Sequence, residues 1–106
     1  MAKAPKTTPI AKTITKGRQG VIYREMLSVD GKKLRIDIES DSHAFQSHAR
    51  IEIYNPTELK WNNLASIHYA AMKTPAQLYY SSAGMQEHNF TTDRNELLRQ
   101  AFAIIL

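Results

Sequence analysis

The clearest pattern in the chain is strict alternation. In Lys33–Glu39, Leu34, Ile36 and Ile38 point one way and Arg35, Asp37 and Glu39 the other. His48–Tyr54 repeats it, with Ala49, Ile51 and Ile53 opposed to Arg50, Glu52 and Tyr54. A period of two is the mark of a strand buried on one face and wet on the other. Val21–Val29 is rich in β-branched and aromatic residues, and Asp30-Gly31 separates it from the first alternating run. Asp-Gly between two such runs predicts a tight hairpin. Ser40–Ser47 reads as a connection, because Ser and Asp side chains bond nearby amides; Phe45 is expected to fold back onto the sheet edge. Asn55-Pro56 closes the third strand, since proline cannot extend a ladder.

Thr57–Met72 admits two readings. Asn55 as cap, Pro56 behind it and Glu58 in the first turn suit a helix start. Asn62-Asn63 would then fall inside the helix, so a fourth strand over Lys60–Tyr69 is preferred. Ala76–Tyr80 reads as a short helix or strand, followed by a loop. At the C-terminus, Asp93 with Glu96 three positions on predicts a helix start. Leu97, Ala101, Ile104 and Ile105, widened by Leu98 and Phe102, form its apolar stripe. The fold class is α+β: an antiparallel β-meander of three or four strands packed against one C-terminal α-helix. Residues 21–106 form one domain, and residues 1–20 a flexible arm.

Charge changes this picture at the N-terminus. The 106 residues carry a formal net charge of +4. Lys3, Lys6, Lys12, Lys16 and Arg18 lie in the first twenty residues with no acid among them, giving +5; the other nine cations and ten acids give −1. The basic excess belongs to the arm. With Ile10 and Ile14 as its only large aliphatics, the arm is expected to be disordered. Five cations without an aromatic residue can neutralise phosphates or another acidic surface, but cannot stack on bases.

Composition removes other classes. There is no cysteine, so disulfides, thiolate metal sites and thiol catalysis are excluded. The longest apolar run is Ala101–Leu106, far short of the ~20 residues of a membrane span. No apolar leader core follows the first lysines, so a cytoplasmic address is expected. The glycines at 17, 20, 31 and 84 are too scattered for a phosphate loop. No cofactor is expected.

Candidate chemistry is sparse. Asp37, Glu39, Asp41 and His43, with His48 and Glu52 across the hairpin, include groups competent for a metal or for acid–base work. Arg35 and Arg50 share that face and would pair with the acids as a solvated surface, which is the preferred reading. Ser42, Ser47, Ser81 and Ser82 have no nucleophile-elbow signature. Neither a catalytic nor a metal site is assigned. Trp61 is expected to pack as core over one end of the sheet. Tyr54, Tyr79, Tyr80, Met85 and Phe90 are the candidates for an exposed partner-binding patch.

The expected function is that of a small non-enzymatic accessory protein. Its arm residues Lys3, Lys6, Lys12, Lys16 and Arg18 would contact nucleic acid without sequence preference, or an acidic partner. The rival expectation is an inhibitor or adaptor of phage or plasmid type, binding a host protein through the folded domain.

Overall fold

The computed structural model describes residues 6–106. Five strands run in chain order through one antiparallel sheet: β1 (Thr7–Lys16), β2 (Gly20–Val29), β3 (Lys32–Asp41), β4 (His48–Asn55) and β5 (Lys60–Ile67). One helix, α1 (Thr91–Ile105), follows a long connection that contains only 3₁₀ turns. The class is therefore α+β with a meander and a C-terminal helix, as the pattern implies, but with five strands.

The added strand is β1, which corrects the expectation of a disordered arm over residues 7–16. It pairs with β2 from Thr7↔Val29 to Lys16↔Val21. Nearly all its residues are exposed, Ile14 alone packing partly on the core. A scarcity of apolar residues signals disorder only for a segment that must stand alone. Here β2 supplies a ready ladder, and Thr7, Thr8, Thr13, Thr15 and Ile14 suit an extended backbone. Pro9 sits beside a bulge at Ile10 on this outer strand, where a missing donor is tolerated.

The strand phase is as read. Leu34, Ile36, Ile38, Ala49 and Ile51 are buried beside Val21, Tyr23, Leu27 and Val29. Asp30 and Gly31 both have positive φ (50° and 82°), the geometry of the tight hairpin. The favoured fourth strand is β5. The cap chemistry that suggested a helix there is real but local: Asn55 Oδ1 accepts from the amides of Thr57 and Glu58 and closes a turn. A bulge at Leu64 shifts the β4–β5 register between Ile51 and Glu52.

Helix α1 crosses β3, β4 and β5, burying Leu97, Leu98 and Ala101. The turn at Leu78–Tyr80 covers β2 and β3 on the same side. Ile104 corrects the stripe: seven residues after Leu97 it lies on the same side, yet it is 58% exposed. Ile105 beside it still packs partly on the core, so Ile104 lies at the edge of the buried arc. Asp93 is also corrected. The helix begins two residues earlier, and Asp93 is 1% exposed, accepting from the amides of Lys73 and Thr74 and from Thr74 Oγ1 (2.6–3.0 Å). It fastens the 73–74 segment to the helix. Phe45, expected on the sheet edge, is 63% exposed, its ring beside His43.

Everything that covers the sheet lies on one face. The other face, carrying Arg24, Met26, Lys33, Arg35, Asp37, Glu39, His48, Arg50, Glu52, Tyr54 and Trp61, has no layer packed over it among the described residues.

Candidate functional site

A buried charge pair fastens the helix to the covered face of the sheet. Glu25 falls at a core position of β2 and is 6% exposed. Arg94, in the first turns of α1, donates through Nε to Glu25 Oε1 (2.7 Å) and through Nη2 to Oε2 (3.0 Å). Tyr23 donates its hydroxyl to Oε1 (2.6 Å) and stacks on the buried Phe90 ring, 5.4 Å between centroids. Burial pushes the Glu25 carboxyl up, but the bonds from Arg94 and Tyr23 outweigh it and hold the pKa below its ordinary value.

The open face is built in cross-strand rows. One runs Thr13–Arg24–Asp37–Arg50–Ser66 and the next Ala11–Met26–Arg35–Glu52–Asn63. Period-two alternation puts all these side chains on one side. Arg35 donates through Nε and Nη2 to Glu52 Oε1 (3.1 and 2.9 Å). Its guanidinium also lies 4.2 Å from the centre of the Trp61 ring, which meets Tyr54 edge-on at 5.3 Å. Trp61 is thus half-buried on the open face, a correction to its expected place in the core. Tyr54, its partner across the ladder, and Arg35, two strands away, hold it there.

Asp37 is the centre of the second cluster. Arg24 Nε donates to its Oδ2 (3.1 Å), and His48 Nε2 lies 3.0 Å from its Oδ1. His48 Nδ1 is 3.4 Å from Glu39 Oε2. The hydrogen bond to Asp37 raises the His48 pKa, burial opposing. Burial of Asp37 is in turn outweighed by His48 and Arg24, which lower its pKa. Arg50 faces Asp37 directly in the register, yet makes no bond to it. Among the described residues Arg50 has no side-chain hydrogen bond or ion pair. Arg24, Arg35, Asp37, Arg50 and Glu52 frame a cleft of about 210 Å³.

Of the ligand candidates read from the sequence, Asp37, Glu39 and His48 do come together. Asp41 instead accepts from the His43 amide, and His43 turns to Phe45. No group of three or more His, Asp or Glu among the described residues is arranged to hold a metal ion.

The basic arm residues are dispersed along β1. Lys3 lies outside the described residues. Lys12 reaches over the helix side to Glu87 (2.6 Å), and Lys16 sits over the Tyr79 ring, 4.7 Å from its centre. Lys6 and Arg18 lie beyond opposite ends of a ten-residue strand, roughly 35–40 Å apart at the rise of an extended chain.

The patch Tyr54, Tyr79, Tyr80, Met85 and Phe90 is not one surface. Phe90 is fully buried under Tyr23, which corrects its expected exposure. Tyr80 is exposed with its ring edge-on to the half-buried Tyr79, and Met85 is exposed in the loop that follows. Tyr54 is across the sheet. The signal missed in the sequence is Arg24. It is read within a strand marked only by its β-branched and aromatic residues, although it stands on the same face as Arg35 and Arg50.

A larger cleft, about 410 Å³, opens between the end of β5 and α1, lined by His68, Lys73, Asp93 and Glu96 among others. Its polar groups are largely spent. Asp93 holds the 73–74 amides, Glu96 accepts from Arg99 and Gln100, and His68 Nδ1 accepts from the Ala70 amide.

No helix among the described residues is long and apolar enough to cross a membrane. Comparison with family models, curated proteins and solved structures returned no match.

Proposed function

We propose that this chain is a non-enzymatic accessory protein, an adaptor or inhibitor that binds another protein across its open sheet face. One observation carries the reading: the uncovered face gathers Trp61, Tyr54, Met26 and three arginines on a rigid ladder. Tryptophan, tyrosine and arginine are the residues in which interface binding energy concentrates, and methionine is enriched with them. Each offers a large contact area, and a strand fixes it before the partner arrives, so little ordering entropy is lost on binding. Acids and bases alternate across the face, which gives register and selectivity more than raw attraction. The arm is a weaker anchor for a polyanion than its composition suggests, because Lys12 and Lys16 are engaged by Glu87 and Tyr79.

The test begins with capture on the tagged full chain from nuclease-treated lysate of the source cells. The captured protein is then purified and titrated calorimetrically. Arg50→Glu, an exposed change that leaves the core alone, is expected to weaken binding tenfold or more. Trp61→Ala is expected to cost about 2 kcal/mol or more, as at a hot spot. The pair Lys6→Gln and Arg18→Gln is expected to leave affinity unchanged. Capture that vanishes with nuclease, or that depends on Lys6 and Arg18 but not on Arg50 and Trp61, overturns the proposal in favour of the basic arm.

A further inference from the structure

We infer that the cleft between Arg24, Arg35 and Arg50 is an anion seat, and that it receives a single carboxylate from an acidic side chain of the protein partner; this rests on the open face being the binding surface. A guanidinium carries five N–H groups in a rigid fork. Arg35 spends two on Glu52, and its flat face lies on Trp61. Arg24 spends only Nε, on Asp37, leaving both terminal nitrogens free of protein partners among the described residues. Arg50 spends none on side chains among them, although Asp37 is its cross-strand neighbour. Arg50 and Arg24 flank Asp37 on either side in one row. The five residues framing the cleft, three cations and two acids, sum to +1.

That arrangement suits one oxyanion with a planar two-oxygen edge, since Arg50 can grip it bidentately while Arg24 donates from the far wall. It suits a nucleic-acid backbone poorly. A phosphate in the seat would bring its chain neighbours over Glu52, Asp37 and Glu39, where like charges repel them. A lone Asp or Glu flanked by apolar residues brings a single charge, which the cleft's net +1 matches, and none over the acids beyond it; its flanks reach Tyr54 and Trp61 on one side and Met26 on the other.

The seat can be tested without the partner. The probes are N-acetyl-aspartate amide, its asparagine counterpart and single-stranded oligothymidylate. Each is titrated into the full chain while the arginine side-chain Nε–H signals are followed by NMR. The aspartate probe is expected to move the Arg24 and Arg50 signals saturably, with a Kd of about 1–50 mM, as one charge-assisted contact allows. The asparagine probe is expected to leave them still. Arg50→Gln, checked for an unchanged backbone spectrum, is expected to weaken the aspartate response at least fivefold. No saturable shift, or one equal for both amides, overturns the seat even if Trp61→Ala and Arg50→Glu still abolish partner binding, in which case the open face alone stands. Oligothymidylate that binds the same arginines more tightly than the aspartate probe overturns the carboxylate assignment. A seat that responds to aspartate while face substitutions leave partner binding intact also overturns it, because the anion then belongs to something other than that partner.

Discussion

Replacing Glu25 with Gln tests how the helix is fastened, with a magnitude that follows from the contacts. The carboxylate is 6% exposed and accepts from Tyr23 Oη, Arg94 Nε and Arg94 Nη2. Glutamine keeps one acceptor oxygen and the shape, but removes the charge opposite Arg94. Breaking a fully buried pair costs about 3–5 kcal/mol, most of it from the unpaired charge left behind. Arg94 keeps 27% of its side chain in solvent, so we expect about 2–4 kcal/mol at pH 7 after that relief. With a urea slope of about 1.5 kcal/mol/M, the midpoint falls by about 1.3–2.7 M. The pH dependence has a definite sign. The folded pKa lies below the ordinary 4.5, so the pair's stabilisation is complete above 4.5 and fades as pH falls through the depressed folded value. The cost of Glu25→Gln must therefore shrink between pH 7 and pH 3. Adding Arg94→Met to Glu25→Gln is expected to recover part of the loss, since the uncompensated cation is gone. Urea melts of the unmodified chain, the single variant and the double variant at both pH values decide it. A loss below about 0.5 kcal/mol at pH 7, typical of a surface site, or one that does not change with pH, refutes the reasoning.

Three further outcomes are expected. Asp93→Ala strips the acceptor from the Lys73 and Thr74 amides and should cost about 1–3 kcal/mol, with faster hydrogen exchange at both; unchanged protection there refutes its fastening role. Deleting residues 1–19 removes β1 and should lower the melting midpoint by about 5 °C or more, whereas an unmoved midpoint returns residues 7–16 to a disordered arm. His48 should titrate above its ordinary 6.5, and its contribution to stability, present below 6.5, is lost as pH rises through the raised value; Asp37→Asn should bring the NMR midpoint down, and a midpoint indifferent to that change breaks the assigned pairing.

The parts of this fold visible in the sequence are those a local rule determines. Alternation in Lys33–Glu39 and His48–Tyr54 sets strand phase because a one-residue slip would expose every aliphatic at once. Asp30-Gly31 sets the hairpin because few residue pairs accept two positive φ values. What composition misjudges is set by neighbours. β1 has too little apolar surface to fold alone, but an edge strand needs only a ladder. Asp93 and Glu96 have the right types for a capping box, yet the stronger claim on Asp93 comes from two amides some twenty residues earlier in the chain. Phe90 looks like a loop aromatic until Tyr23 is set over it.

The open face shows the same limit where it matters for function. Read by strand alternation, Arg35 and Arg50 with Asp37, Glu39 and Glu52 form a self-neutralising surface. For Arg35 and Glu52 that is right. It fails for Arg50: of the three cations around Asp37, two bond its carboxylate and Arg50 does not. Arg24 reaches it from one side in the register. His48 reaches it diagonally, two residues from Arg50 along β4, with a ring rigid enough to hold 3.0 Å. The long, flexible Arg50 loses the least by staying in water, since an exposed ion pair gains little over the entropy of fixing both side chains. The surplus cation is thus the outcome of a local competition that counting charges cannot see. A partner that brings its own carboxylate completes the arrangement without breaking a pair already made.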